Sequence, residues 1–438
     1  MNSCVRTFRV TALSIAASAV AVVSAFAQDS AQAGAQTQGE ITYAKEVSRL
    51  LHTHCADCHH PGGIGPFSLL TYRQAKGWGE MIKEVVQERR MPPWHADPSV
   101  GKFKNDRRLT DREIETIVKW VDGGRPLGDE ADLPKPPRFS EDWRIPTPDA
   151  VFEIPREVTI QPSGVVPYQE FEVPTGFTED KYIRAMEAMA GNPKVVHHII
   201  VFMRAPGMDR GETAEFQRIG RGFLCGFAPG TIPTIFEPGY AVRVPAGATL
   251  IFQMHYTPTG KTEVDRSRFG VVFANEPPKH EIITATTVNF EFEIPPNEPN
   301  HRVEAESILP SDAMLFAMTP HMHYRGKSFE YLIRYPDGRT DCLLKVPNYD
   351  FNWQTTYILE EPALLPKGTR IQTVAHFDNS ANNPYNPDPS KRVRWGEQTW
   401  EEMMIGWMDL AWLKEGELQK LSQNPPSATF GGTPSSSE

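Results

Sequence analysis

Cys55-Ala56-Asp57-Cys58-His59 constrains this chain more than any other stretch of it. Two thiols three positions apart can add across the two vinyl groups of one haem, and the adjoining histidine supplies a proximal ligand to the iron. Random placement of 5 Cys and 13 His in 438 residues gives only about 0.002 matches to such a pattern. A disulfide or half of a zinc site would account for the cysteines but not for the histidine, and no second C-x-x-C completes a zinc set. The motif predicts covalent haem c on Cys55, Cys58 and His59, in a chain that moves electrons.

The N-terminus agrees with this. Arg6 and Arg9 lead into an apolar run, Val10–Val23, and Ala25-Phe26-Ala27 offers a small-x-small cleavage site, the pattern of a secretory signal over residues 1–27. Thr11, Ser14 and Ser18 interrupt the run, which is too short to span a bilayer, and no later segment is long enough. C-type haem is attached outside the bacterial cytoplasm, so two separate signals predict a periplasmic protein without a membrane span. Cys4 would leave with the signal. Of the other four cysteines haem takes two, leaving Cys225 and Cys342 either as buried free thiols or as a disulfide. A formal charge of −10 without a polybasic patch argues against nucleic acid and anionic lipid.

Between residues 41 and 128 the pattern is helical. Tyr43–His54 runs into the haem motif, Tyr72–Arg90 is amphipathic, and Thr110-Asp111-Arg112-Glu113 is a capping box before Ile114, Ile117, Val118 and Val121. Gly123-Gly124 stops that helix. The layout resembles a small class I cytochrome c domain, where a methionine beyond the middle helices is the sixth iron ligand. Met91, in the rigid turn Arg90-Met91-Pro92-Pro93, is the preferred candidate, with Met81 and His95 as alternatives. Residues 28–40 and 417–438 read as disordered by composition, and 129–150 as a Pro-rich, charged linker.

Beyond the linker, short β-branched and aromatic runs alternate with Pro/Gly turns: Lys194–Met203, Ala248–Tyr256, Arg268–Phe273, Ala313–Met318, Phe329–Tyr335 and Arg370–Phe377. That spacing predicts two all-β sandwiches, jelly-roll-like, over 151–292 and 293–416. Four motifs punctuate them: His197-His198, Gln253-Met254-His255-Tyr256, His321-Met322-His323 and Glu402-Met403. In a strand His321 and His323 share a face and can reach one metal, whereas His197 and His198 point to opposite faces unless the strand bulges, twists or ends there.

The order of these four motifs resembles the copper type II, ascorbate-dependent monooxygenases, the family of peptidylglycine α-hydroxylating and dopamine β-monooxygenases. The resemblance covers about Phe171 to Leu410. The stretch Leu224–Pro233 followed by Glu237-Pro238-Gly239 supports it. It implies two copper ions. His197, His198 and His255 would hold an electron-storing copper, and His321, His323 and Met403 an oxygen-activating one, with Met404 the alternative thioether. His376 is a further ligand candidate, though a structural histidine is the plainer reading of it. Three imidazoles suit both oxidation states of copper, and two imidazoles with a thioether favour Cu(I).

The resemblance also implies O₂ and a small organic molecule as substrates, with hydroxylation of an activated C–H consuming two electrons and two protons per O₂. A periplasmic cytochrome or small reductant would supply those electrons through the fused haem. A non-catalytic periplasmic copper-binding and electron-transfer protein is the alternative. Two departures bear on the substrate. Thr319 stands where the peptide-amidating members carry a carboxylate-binding arginine, and Ile405 and Trp407 stand where they carry asparagine and tyrosine. The family's disulfides are missing as well.

Overall fold

A computed structural model describes residues 39–139, 142–209, 222–228 and 231–423. The signal segment, nearly all of 28–40 and most of the C-terminal tail lie outside the described residues. The protein is mostly β, with several antiparallel sheets and a few short N-terminal helices. Among the described residues, no helix is long and apolar enough to cross a membrane.

The helices are Ser48–His54, entered through a π turn at Tyr43–Val47, then Tyr72–Gly77, Gly79–Gln87 and Asp111–Asp122. The amphipathic stretch from Tyr72 is thus two helices, divided at Trp78. Capping boxes start two of them: the Thr71 hydroxyl accepts from the Gln74 N–H and the Thr110 hydroxyl from the Glu113 N–H. The last helix stops where Gly124 adopts a φ of +87°, a conformation that costs glycine nothing. Tyr43, Leu51, Ile82, Val86, Ile117 and Trp120 close a small core.

The β half is built on one nine-stranded sheet. Its order is Ala150–Glu153, Arg268–Phe273, Lys181–Met189, Tyr240–Val244, His280–Val288, Ile405–Trp412, Ala313–His321 and Tyr357–Leu365, with Thr234–Ile235 paired to the side of Lys181–Met189. The join in the middle is slight: Tyr240–Val244 meets His280–Val288 in parallel through His280↔Tyr240 and Glu281↔Ala241. Strand His280–Val288 then pairs along its length with Ile405–Trp412, so the second β region begins near residue 280 rather than 293. The first half has a four-stranded sheet ordered Gln169–Pro174, Thr249–Tyr256, Val196–Arg204, Phe223–Phe227, and the second has His301–Ile308, Arg370–Phe377, Gly326–Arg334, Thr340–Val346. Two apolar cores follow, and the first also takes in Met314, Phe316, Ile358 and Ala411 of the second half.

Three stretches differ from their sequence reading. Residues 94–105 were grouped with the helices, yet Trp94, Ala96 and Phe103 are buried in the second β core. Their backbone adds to its edge: the Asp97 N–H donates to Lys345 O, the Lys104 N–H to Ile358 O, and the Glu360 N–H to Lys102 O. Aromatic side chains in an irregular stretch carry no period, so nothing in the pattern named their partner. The linker is pinned too. Ile145 packs with Ala185 and Val272, and Arg144 pairs with Glu187 at 2.6 Å. Lastly, residues 417–423 of the expected disordered tail form the helix Glu417–Gln423, whose Leu418 and Leu421 pack against the first core.

Candidate functional site

The first histidine cluster depends on a bulge. Strand Val196–Arg204 pairs with Thr249–Tyr256 as Val196↔Tyr256 and then His198↔His255, so His197 is the extra residue with no partner of its own. The added residue overrides the alternation that would send neighbouring side chains to opposite faces. Ligand nitrogens of His197, His198 and His255 consequently lie within 4.8 Å of one another. The Nδ1 atoms of His197 and His198 are 3.4 Å apart. On the facing strand alternation does hold: Met254 and Tyr256 point into the core, with the Tyr256 hydroxyl donating to Asp265 at 3.0 Å, and His255 turns the other way.

Burial pushes all three imidazoles below their ordinary value. His255 falls to about 3, with His197 adding to the effect, and His198 falls well below 6.5. They are neutral at physiological pH and present lone pairs. His198 Nε2 and His255 Nδ1 are buried without a hydrogen-bond partner among the described residues. Buried orphaned nitrogens are costly, and a bound ion would satisfy them. Neutral imidazoles so gathered suit copper, and also zinc, iron or nickel. Tyr168, which the sequence reading missed, packs its ring at 4.8 Å from His255 and 5.4 Å from His198.

His321 ends strand Ala313–His321, and His323 follows it, their ring centroids 5.2 Å apart. Both rings are oriented through Nδ1. His321 Nδ1 lies 2.6 Å from Gln354 Oε1, and His323 Nδ1 lies 3.4 Å from the Glu401 carbonyl. Those oxygens only accept, so each Nδ1 carries the proton and each Nε2 keeps its lone pair for a metal. Burial lowers His321 to about 4, and His323 well below 6.5.

The tripeptide holding this pair is gripped from both sides. The Tyr349 hydroxyl accepts from the Met322 N–H (3.1 Å) and donates to its carbonyl (2.8 Å). Fully buried Glu402 accepts from the N–H groups of His323 (2.9 Å) and Arg325 (2.6 Å). Of the two thioether candidates, Met404 is fully buried in the second core, and Met403 stays half-buried directly after Glu402. The donor set at this end is therefore two neutral imidazoles, with Met403 adjoining Glu402, which bonds to the His323 N–H. His376 belongs to another sheet, where its Nδ1 bonds to the Ser328 hydroxyl at 3.1 Å.

Phe351 connects the clusters. Its ring stacks on His197 at 5.4 Å and stands perpendicular to His323 at 6.0 Å. A cavity of about 110 Å³ has both His198 and His321 in its wall, along with Thr319, Trp407, Asp409 and Arg107. Trp407 lies flat on His321, at 5.4 Å and 10°.

At the haem motif, the chain turns directly out of helix Ser48–His54, with the Ala56 N–H bonded to Leu51 O and the His59 N–H to Cys55 O. His59 Nδ1 lies 3.0 Å from the Phe67 carbonyl, which leaves Nε2 as the lone-pair nitrogen. Gly65 is required here, because a Cβ would stand 2.7 Å from the His59 ring. The Cys55 and Cys58 thiols are free, and so are Cys225 and Cys342, which bond to the carbonyls of Gly226 and Leu344. The open choice for that pair resolves to two free thiols. Met91 is half-buried with its N–H on Val85 O; Met81 is 45% exposed; His95 lies beside Asp350 of the β half. Arg107 and Arg144 both act electrostatically on Cys58, Arg107 the more strongly. Arg107 lines the cavity between the clusters, and Arg144 donates to the carbonyl of Thr231, another residue of its wall.

No protein-family profile matches the chain, and no curated protein is similar to it. Among solved structures, the major capsid protein P2 of bacteriophage PM2 is 10% identical, with a TM-score of 0.28, covering 60% of this chain and 100% of its own. The infectious bursal disease virus Gx strain structure is 8% identical, with a TM-score of 0.17, covering 67% and 88%. A putative secreted protein from Parabacteroides distasonis is 8% identical, with a TM-score of 0.14, covering 60% and 89%. Likenesses this distant carry no argument.

Proposed function

We propose that this is a periplasmic copper-dependent monooxygenase, related to the peptidylglycine and dopamine enzymes, with a cytochrome c-like segment as its built-in electron port. One observation carries the reading. One imidazole of each cluster, His198 of the first and His321 of the second, lines a single cavity, with the other imidazoles of each cluster packed against them, and Arg107, which acts on the haem-motif cysteine Cys58, lines that same cavity.

Bound at His197/His198/His255, at His321/His323/Met403 and at Cys55/Cys58/His59, copper and haem c supply the one-electron chemistry with dioxygen that hydroxylation of a C–H requires. The protein supplies position and dryness. Gln354 and the Glu401 carbonyl fix the tautomers of the second pair, Phe67 does so for His59, and Glu402 with Tyr349 hold the backbone between the ligands. Phe351 fills the space between the clusters with a hydrocarbon ring and excludes water there. Because the haem segment is part of the same chain, its effective concentration at the β half is on the order of millimolar or more. Thr319 faces the cavity where a carboxylate-binding arginine would stand in the peptide-amidating enzymes, which argues against glycine-extended peptides as substrates.

Elemental analysis of periplasmically matured, copper-reconstituted protein tests this. We expect about two coppers per haem iron, with one lost in His197→Ala and the other in His321→Ala. Iron without stoichiometric copper would reduce the protein to a cytochrome joined to a binding module.

A further inference from the structure

We propose that Asp409 determines the specificity of the shared cavity, receiving the hydrogen-bond-donating head of a substrate whose apolar body lies along Trp407. This rests on the reading of that cavity as the substrate site.

Asp409 sits in the middle of strand Ile405–Trp412, between Thr284 and Ala317 of the neighbouring strands. Aspartate is depleted in strand interiors, so the position asks for a reason. Its side chain opens on the cavity, whose wall also holds the apolar side chains of Met186, Phe236, Val242 and Ile282. The Thr284 hydroxyl donates to Oδ1 at 2.8 Å, and among the described residues Asp409 forms no ion pair. A carboxylate accepts about four hydrogen bonds, and a largely desolvated one with a single neutral donor is under-satisfied. Burial lifts the group only to about 6, so at neutral pH it still carries charge.

Geometry then sets the arrangement of the ligand. Residues two apart on a strand share a face, so Trp407 and Asp409 lie on the same side, roughly 7 Å apart along the chain. Trp407 stacks on His321 and has Phe223 at 5.0 Å. A molecule lying on this surface presents one end to His321 and the other to Asp409. The matching ligand has an aromatic or aliphatic body and an ammonium or hydroxyl head. Arg107 also reaches the cavity wall, so an anionic head is the contrast to exclude.

The test uses three probes with one body, 3-phenylpropylamine, 3-phenylpropan-1-ol and 3-phenylpropanoate, titrated calorimetrically into copper- and haem-loaded wild type and Asp409→Asn. Asparagine keeps an acceptor for Thr284 and removes the charge. Wild type is expected to bind in the order amine, alcohol, carboxylate, with amine over alcohol by roughly 10–100-fold, the range of a charge-assisted hydrogen bond. In Asp409→Asn that ratio should fall to near one, with both metal contents unchanged. An amine bound through copper would bind the variant as tightly as wild type, and that result overturns the assignment, as do tightest binding of the carboxylate or no binding of any probe. The expected pattern in a protein that takes up no copper would uphold Asp409 while defeating the monooxygenase reading.

Discussion

In the first β half, His197, His198 and His255 meet because a bulge carries one of two adjacent residues across the strand, and their rings lie against each other, Tyr168 and Phe351. In the second, His321 closes its strand and His323 follows just beyond it, and Gln354, Tyr349 and Glu402 hold them through hydrogen bonds. One cluster leaves buried nitrogens for an ion to satisfy; the other is satisfied by the protein and presents what remains. A metal would complete the first, whereas the protein already orients the rings of the second. That contrast suits an electron store that works in two oxidation states and a reactive site that must keep a vacancy for substrate.

The largest expected effect comes from dismantling the second scaffold. Glu402 is fully buried, and Arg325, just as buried, has its guanidinium 4.0 Å away. Glu402→Ala strands two buried backbone N–H groups, while Arg325 keeps its bonds to Asn379 and the Trp400 carbonyl, and should cost about 2–6 kcal/mol in denaturant unfolding. Tyr168→Phe, the corresponding change around the first cluster, should stay within about 0.5 kcal/mol, since it keeps the ring. Equal losses would erase the distinction between the clusters.

Gln354→Ala acts on orientation alone. Loss of the acceptor for His321 Nδ1 should weaken the second copper roughly 10–100-fold and leave the first unchanged, read by chelator competition. A parallel loss at both sites would mean that the clusters do not bind independently.

Acidification separates them more gently. Each histidine is held below its unfolded value near 6.5, so the folded state resists protons that the unfolded state takes up. Stability of the copper-free protein is therefore complete above about pH 6.5 and declines as pH falls, toward about 4 for His321 and about 3 for His255. A fully shifted group contributes at most about 1.4 kcal/mol per pH unit, and a ring that keeps some solvent contact contributes less. Urea midpoints between pH 7 and 5 should drop, and His255→Ala should flatten the slope. Glu402 and Asp409, raised by burial to about 8 and about 6, work in the opposite direction, so the deciding readout is the difference: a slope that His255→Ala leaves unchanged would contradict the burial of that ring.

What could be read from the chain follows from where the information sits. Cys55-Ala56-Asp57-Cys58-His59 and His321-Met322-His323 are local patterns of consecutive residues, visible with no need of a partner. Strand runs such as Arg268–Phe273 and Arg370–Phe377 carry their own period and recur as strands with the same bounds. The His197 bulge is a property of a strand pair and not of a strand, so spacing could only pose the question. Tyr349, Phe351, Gln354 and Asp409 reach the site through a loop and a register that no motif announces. The Trp94–Phe103 stretch shows the same limit, since a compact helical pattern hid residues that complete another core. A tryptophan followed at a distance by phenylalanine, in a stretch too irregular to bury them locally, was the one available hint.

Phe351 offers the finest test, because it touches both clusters. Leucine there keeps most of the apolar volume and should cost less than about 1.5 kcal/mol, while removing the flat contact with His197 and the edge contact with His323. If the two centres communicate across this ring, Phe351→Leu should slow anaerobic reoxidation of dithionite-reduced haem by the Cu(II)-loaded protein while copper content stays at its wild-type value. If the ring serves only the second cluster, the haem kinetics should hold and the change should appear in copper affinity at His321 and His323 alone. The first result would make the contrast between the clusters a division of labour within one connected centre. The second would leave two sites that share a wall.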